Sequence, residues 1–493
     1  MARRCQAGVC TELALSPCEN SCPLHMNIPR FLQLYKESRL EEAFDSIILD
    51  NPLPSSTGRV CQHPCDERCR RQTMDDSVNM REVHRYIADT VLLSDRFGAA
   101  VERVSKRMLE HTGRKIAIAG AGPTGLTAAF YLALLGHDVT VFDPMPEPGG
   151  MLRFALPEYR LPKPVLRREI ELIERLGVKF ALNTRVGTDI TLNELDERFD
   201  AVFLAIGTWK ESWVYLPGTE LKGVYPALPL LESIAKGDSV NLGRKVVVIG
   251  GGNAAIDSAR SSLRKGAEVI VVYRRERKDM PAIEEETEAA EKEGARIVFL
   301  SAPHRIIGDA KGNVKALEVV KTRLGEYDTS GRRKPVLTDE VQRIECDSVI
   351  LAVGETVDLD FCKASGLQIK QGGTIEVDRY RLETSRPRFF AGGDLVTGAS
   401  NVSNAMAFGK RAARAIDEQL MDAKRWDELF PALDYDQSPP KDVSECRRHL
   451  PHELSVHERM QSSAEAVMGL TAEESHEEAC RCLRCDVKVP VSR

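Results

Sequence analysis

An α/β chain with two nested strand–turn–helix–strand cores behind a helical, cysteine-rich segment is what the sequence predicts, on three observations. Lys115–Asp143 reads KIAIAGAGPTGLTAAFYLALLGHDVTVFD. It holds an apolar run Ile116–Ala119, a turn with Gly120, Gly122, Pro123 and Gly125, an apolar helical stretch Thr124–Leu135, and a second run Val139–Phe142 closed by Asp143. The same opening returns at Lys245–Gly252, KVVVIGGG, with Val269–Tyr273 as its second strand. Seven of the 13 cysteines fall within Met1–Cys69, where strand signal is weak.

The order of parts in the first motif points to a ligand. Gly120 permits the tight turn, Gly122 lets a pyrophosphate approach the backbone, and Gly125 lets the helix pack on the strand. The helix N-terminus faces the phosphates, and Asp143 can hold a ribose hydroxyl. This is the Rossmann-type dinucleotide fingerprint.

Taken in order, residues 1–112 form a helical domain. Ile28–Lys36 and Leu40–Leu49 have helical apolar spacing, NPLPSSTGRV is turn-rich, and Val78–Leu93 and Phe97–Leu109 read as helices. Residues 113–243 open the first dinucleotide fold, with Asp200–Ile206 a buried strand ending at Gly207. Residues 244–344 form the second, inserted fold. Residues 345–420 return to the first through the strands Glu345–Val353, ending at Gly354, and Phe389–Asp394, followed by a helix over Val402–Leu420. Residues 421–493 are an arm with SPPKD at Ser438–Asp442, helical spacing over Glu453–Ala479, and a closing ACRCLRCD.

Composition excludes several classes. A net charge of −6 gives no reason to expect nucleic acid or an anionic membrane. No apolar leader opens the chain, and the uncharged Ile116–Gly136 is broken by glycines and Pro123, so no membrane span and a cytoplasmic location are expected.

In the second motif, Gly250, Gly251, Gly252, Asn253 and Asp257 sit on a strand-to-helix turn. Its second strand ends not in an acid but in Arg274-Arg275, which suits a 2′-phosphate and so NADP(H). The first site then suits FAD, with Gly393 and Asp394 after the last strand and Thr397–Asn401 opening a helix toward it. No cysteine lies between Cys69 and Cys346, so no redox disulfide accompanies the nucleotide folds. Electrons leaving a flavin are expected at the N-terminal cysteines.

Cys18-x-x-x-Cys22-Pro and Cys61-x-x-x-Cys65-x-x-x-Cys69 are regular ligand spacings. Structural zinc uses comparable spacings. The Cys-Pro step, the odd ligand number and the adjoining flavin fold favour iron–sulfur clusters.

From Cys18 to about Leu420 the chain resembles the small (β) subunit of bacterial glutamate synthase. The same module opens dihydropyrimidine dehydrogenase and forms a subunit of NADH-dependent ferredoxin:NADP oxidoreductases. The resemblance rests on CPLHMNIPRFL, NPLPSSTGRVCQHPCDERC, GAGPTGL, EPGGMLRFALPEYRLPK, DAVFLAIGT, VVVIGGGNAAID, YRRERKDMPA, GEYDTSGRRK and FFAGGDLVTGASNV, in order. It implies two [4Fe–4S] clusters in the helical domain, then interleaved FAD and NADPH domains. One cluster would take Cys22, Cys61, Cys65 and a non-cysteine ligand that falls on His84. The other would take Cys18, Cys69 and two upstream cysteines. Here the chain departs from the family: Leu13 replaces one of them, and the family's R-C-L-x-C stands instead at Arg481–Cys485. Either Cys5 and Cys10 complete that cluster, the reading slightly favoured, leaving Cys480, Cys482 and Cys485 a separate role that includes a further cluster. Or the arm folds back and inserts Cys482 and Cys485.

The resemblance also implies FAD contacts at Gly150, Met151, Arg160 and Gly207, a nicotinamide-side contact at Gly354, and Glu284 near the nicotinamide. The expected function is transfer of electrons between NADPH, FAD and [4Fe–4S] clusters, to or from a larger partner subunit. Glutamate synthase itself is one assembly; a scaffold with a structural zinc domain is the contrasting reading.

Overall fold

The structure, a computed structural model, describes residues 15–212, 215–328, 331–423, 425–430, 434–440 and 443–487. Seven helices open it: α1 Pro17–Ser21, α2 Ile28–Lys36, α3 Leu40–Asp50, α4 Pro54–Val60, α5 Pro64–Glu67, α6 Met80–Leu92 and α7 Phe97–Ser105. Proline stands in the first turn of α1, α2, α4 and α5, where its missing N–H costs nothing.

The first fold comprises β1 Lys115–Ala119, α8 Pro123–Leu134, β2 Asp138–Phe142, α9 Lys163–Arg175, β3 Lys179–Ala181 and β4 Ala201–Leu204. The second comprises β5 Val224–Pro226, β6 Lys245–Ile249, α10 Asn253–Arg264, β7 Glu268–Val272, β8 Arg296–Val298, the antiparallel strands β9 Ser301–Gly308, β10 Val314–Tyr327 and β11 Arg333–Glu345, and then β12 Ser348–Leu351. The chain returns to the first fold with β13 Phe389–Ala391 and α11 Val402–Met421.

Two parallel sheets result, ordered β13-β4-β1-β2-β3 and β5-β12-β6-β7-β8. This corrects the domain boundaries read from sequence. β12 pairs with β6 and β5, so residues 348–351 belong to the second sheet, and that fold begins at β5, ahead of residue 244. A buried VIL run looks the same in either parallel sheet. The β9-β10-β11 meander escaped sequence reading; its outer strand β11 carries charge on both faces, which hides the alternation of a strand.

Strand alternation divides the core. Ile116, Ile118, Val139, Val141, Ala201 and Phe203 face α8, α11 and the helical domain in one continuous core. Ala117, Ala119, Phe142, Val202, Leu204 and Phe389 face the other way. The helical domain is thus fused to the first fold. The Tyr131 hydroxyl of α8 donates to the Leu49 carbonyl at 2.7 Å, and buried Glu169 of α9 accepts the Ser55 and Ser56 amides at the start of α4, at 2.6 and 3.0 Å.

The arm returns across all three units. It holds no long helix over 453–479: a hairpin pairs His452–Glu453 with Val467–Gly469, and short helices span Val456–Gln461 and α12 Ala472–Cys480. Gly469, with φ of +85°, helps break the periodic run. Arg459 approaches Glu293 of the second fold at 3.8 Å, the Ala466 amide donates to the Tyr159 carbonyl of the first at 2.9 Å, and Glu465 pairs with Arg59 and Arg85 of the helical domain at 2.6 and 2.7 Å. Among the described residues, no helix is long and apolar enough to cross a membrane.

Candidate functional site

The two glycine turns form the floor of a cleft of about 820 Å³. Gly120 leaves β1 with φ +106°, and a Cβ there would lie 2.4 Å from the Ala205 carbonyl oxygen. Gly250 repeats this after β6, with φ +148° and the Ala352 oxygen at 2.2 Å. A side chain fits at neither turn. Gly122 and Gly252 differ: the nearest atom to an added Cβ is 3.9 Å away in both, Gly150 Cα and Pro281 Cγ. A phosphate can therefore approach the backbone at the N-termini of α8 and α10. Gly125 is the packing glycine, since a Cβ there would meet the Gly120 oxygen at 1.9 Å.

Pro123, Gly150, Met151, Gly207, Asn253, Gly354, Asp394 and Asn401 line the cleft. Asp143 also lines it, but its two oxygens accept the Ala121 and Met145 amides at 2.7 and 2.9 Å, so it fixes the glycine turn itself. Burial raises the pKa of Asp394, which accepts the Ser400 hydroxyl at 2.6 Å, and of its neighbour Glu355. Gly393 lies behind the wall, where a Cβ would strike Thr124 Oγ1 at 2.3 Å.

Several expectations need correction. Glu284 does not line the cleft; it is exposed and pairs with Arg277 at 2.7 Å, at the start of a short acidic helix. Arg160 and Asp257 line it, but they bond each other at 2.7 and 2.9 Å, both buried, so each charge is matched across the two folds. Arg275 also lines the cleft, and its guanidinium donates to Asp328 at 2.7 Å and to the Arg333 carbonyl at 2.8 Å. Arg274 keeps its expected place, and Arg332, from the loop before β11, stands beside it in the cleft lining. Burial and the neighbouring guanidiniums of Arg275 and Arg332 lower the Arg274 pKa. Sequence reading gave no site role to Arg332, Glu355 or Gln62, which the fold brings to the cleft.

The helical domain adds two thiol cages. Cys22, Cys61 and Cys65 line one buried cavity with Met26, Phe31, His63 and His84. Cys18, Cys69, Cys482 and Cys485 line a second with Leu32 and Val78, while Ile28 and Met80 border both. Burial pushes the Cys22 thiol up to about 11 and that of Cys482 to about 12. Among the described residues, no three His, Cys, Asp or Glu side chains converge enough to hold one metal ion.

His84 stands in the first cavity, its Nε2 donating to the Pro54 carbonyl at 3.1 Å, and burial lowers its pKa to about 4, leaving a neutral imidazole. Cys480 is exposed, 3.9 Å from His476 Nδ1, and lines neither cavity. The separate role expected for the tail thiols is therefore at odds with Cys482 and Cys485 beside Cys18 and Cys69. Cys5 and Cys10 lie outside the described residues.

Cleft and cage share a wall. Val60 and Gln62 line the cleft while Cys61, between them, lines the cage. Cys61 Sγ is 3.1 Å from Ser403 Oγ on α11, and Asn401, which caps α11, donates to Gln62 Oε1 at 3.2 Å. Among the described residues, no cysteine lines the cleft.

Residues 114–409 match the family model described as pyridine nucleotide-disulphide oxidoreductase, and residues 1–95 that described as dihydropyrimidine dehydrogenase domain II, 4Fe-4S cluster. The chain is 38% identical over 499 residues to NADP(+)-dependent formate dehydrogenase subunit beta of Moorella thermoacetica, covering 95% of this chain and 70% of that one. It is 37% identical over 517 residues to NADPH-Fe(3+) oxidoreductase subunit beta of Geobacter sulfurreducens, covering 95% and 75%. It is 35% identical over 432 residues to the glutamate synthase [NADPH] small chain of Escherichia coli, covering 84% and 90%. Among solved structures, FprA of Mycobacterium tuberculosis in complex with NADPH superposes with a TM-score of 0.54 at 22% identity, covering 64% of this chain and 87% of that one, a likeness of fold. The two glycine turns, the adjoining thiol cages and these matches lead to one statement: the chain belongs to the glutamate synthase small-chain-like family of pyridine-nucleotide-dependent iron–sulfur flavoprotein oxidoreductases.

Proposed function

We propose that the chain is an electron-transfer subunit that takes reducing equivalents from NADPH, through FAD, to iron–sulfur clusters and on to a larger partner, or runs the same path in reverse. The observation that carries this is the shared wall: Cys61 of a thiol cage lies between two residues of the nucleotide cleft. When bound, the nicotinamide and flavin exchange a hydride, and the flavin deals with one-electron centres singly.

The chain's own residues position and insulate. Gly120, Gly122 and the α8 N-terminus would hold the FAD pyrophosphate, with Asp394 near the ribityl end. Gly250, Gly252 and the α10 N-terminus would hold that of NADP(H). Arg274 with Arg332 would take the 2′-phosphate, while Arg275 braces their loop through Asp328. The Arg160–Asp257 pair would lock the two folds across the cleft without spending charge on a cofactor. Cys22, Cys61 and Cys65 would hold the inner [4Fe–4S] cluster, with His84 fourth once its bond to Pro54 is released. The names of the relatives support a partner subunit, since two of those above are beta subunits and one a small chain.

Anaerobic purification tests the reading. Flavin and iron should both be present, and NADPH should bleach the flavin band and then the cluster absorbance. Flavin without iron, or zinc in place of iron, would overturn it.

A further inference from the structure

Residues 472–487 pack against the helical domain, far in sequence from its own cysteines, and are fastened immediately before two thiols. The Arg481 guanidinium, 2% exposed as a residue, bonds Glu478 at 2.5 Å, Asp75 at 3.0 Å, and the carbonyls of Asp76 and Ser77 at 2.6 and 3.1 Å. Arg71 holds the Arg481 carbonyl at 2.8 Å. Glu478 in turn accepts the Asn79 and His449 amides at 2.7 and 2.9 Å. So many directional bonds on one residue fix the direction in which the chain leaves α12. Arg484 then takes the left-handed region, φ +51°, unusual for a side chain that long, and its guanidinium donates to the Asp436 carbonyl at 2.6 Å. The turn sends Cys482 and Cys485 into one cavity, whose other two thiols are Cys18 and Cys69. Four thiols, set among apolar side chains and Arg68, Arg70 and Arg71 with no carboxylate in the lining, make the donor set of a Cys₄ iron–sulfur site.

We infer that Cys482 and Cys485 complete the outer [4Fe–4S] cluster with Cys18 and Cys69, so that the two ends of the fold are joined through iron. The inference rests on the cluster reading above. Cys5 and Cys10 are not ligands of it, and the tail carries no cluster of its own.

The test compares the wild-type holoprotein with two double variants, Cys482→Ser/Cys485→Ser and Cys5→Ser/Cys10→Ser. Iron, acid-labile sulfide and flavin are measured per chain, with electron paramagnetic resonance after dithionite reduction. The tail variant should keep its flavin and lose about half its iron, one of two four-iron clusters, with one signal gone. The N-terminal variant should match wild type. Loss of half the iron from the N-terminal variant, with the tail variant intact, would overturn the inference. Wild type without iron would overturn the cluster reading itself. Alkylation of the unaltered holoprotein gives a readout free of folding defects. Cys446, Cys480, Cys5 and Cys10 should label, while Cys18, Cys69, Cys482 and Cys485 should label together only after chelation. Labelling of Cys482 and Cys485 before chelation would refute the proposed ligand set.

Discussion

Glu169 offers the sharpest physical test of how the helical domain is joined to the first fold. Its carboxyl is 1% exposed and faces the start of α4: one oxygen accepts the Ser55 and Ser56 amides, and the other bonds the Ser56 hydroxyl. Burial outweighs these bonds and the nearby Arg59, and pushes the pKa from its ordinary 4.5 up to about 8. The folded-state value lies above the unfolded one, so folding takes up a proton between the two, and stability falls as pH rises through that window. From pH 6 to pH 8 each pH unit costs about 1.4 kcal/mol, and the loss then levels off, for about 3 kcal/mol between pH 6 and 9. Glu169→Gln mimics the protonated group: its carbonyl accepts the two amides and its NH₂ donates to Ser56. The variant should therefore gain about 3 kcal/mol on wild type between pH 6 and 9, or roughly 1 M in urea midpoint at a slope of about 3 kcal/mol/M. Glu169→Ala should lose about 3 kcal/mol throughout, because two buried amides lose their acceptor. Urea titrations of the flavin-loaded proteins, followed by tryptophan emission at pH 6, 7, 8 and 9, provide the measurement. A Gln-minus-wild-type difference that stays flat with pH would refute the reasoning and mean that the helix start holds Glu169 ionised.

Other expectations follow the same geometry. Arg274→Ala and Arg332→Ala should each raise the KM for NADPH about 10- to 100-fold, with little change for NADH, because a charge-assisted bond to phosphate is worth about 1.5–3 kcal/mol; equal losses for both nucleotides would count against the 2′-phosphate assignment. Gly409→Ala on α11 should cost about 3 kcal/mol and lower flavin retention, since the new Cβ would lie 2.2 Å from the Thr124 carbonyl oxygen; a normal melting temperature and flavin content would disprove that. His84→Cys should lower the potential of the inner cluster in a redox titration, thiolate being the stronger electron donor, whereas His63→Ala should leave that potential unchanged.

What could be read from the sequence was whatever depends on local order. Strand, glycine turn and helix succeed one another within thirty residues, so Gly120, Gly122 and Gly125 declare themselves, and the buried strands do the same through their apolar runs. Register across the insertion was not legible: Ser348–Leu351 would satisfy either sheet, and only pairing with Val246–Ile249 decides it. The fate of charged residues was also hidden. Arg160 and Asp257 look like ligands in isolation but pair with each other across the cleft, and Arg275, in the cleft lining beside Arg274, pairs with Asp328. The oddity of an R-C-L-x-C motif at the wrong end of the chain was visible; its destination depends on Arg481 and Arg484, whose roles exist only once the arm has docked.

The arm's middle hairpin grips three bodies at once: Glu293 of the second fold through Arg459, the Tyr159 carbonyl of the first, and Arg59 of the helical domain through Glu465. Arg59 lies two residues ahead of Cys61. Any shift of the second fold against the first would thus be transmitted, through a strap of side-chain contacts, to the loop that frames the inner cage.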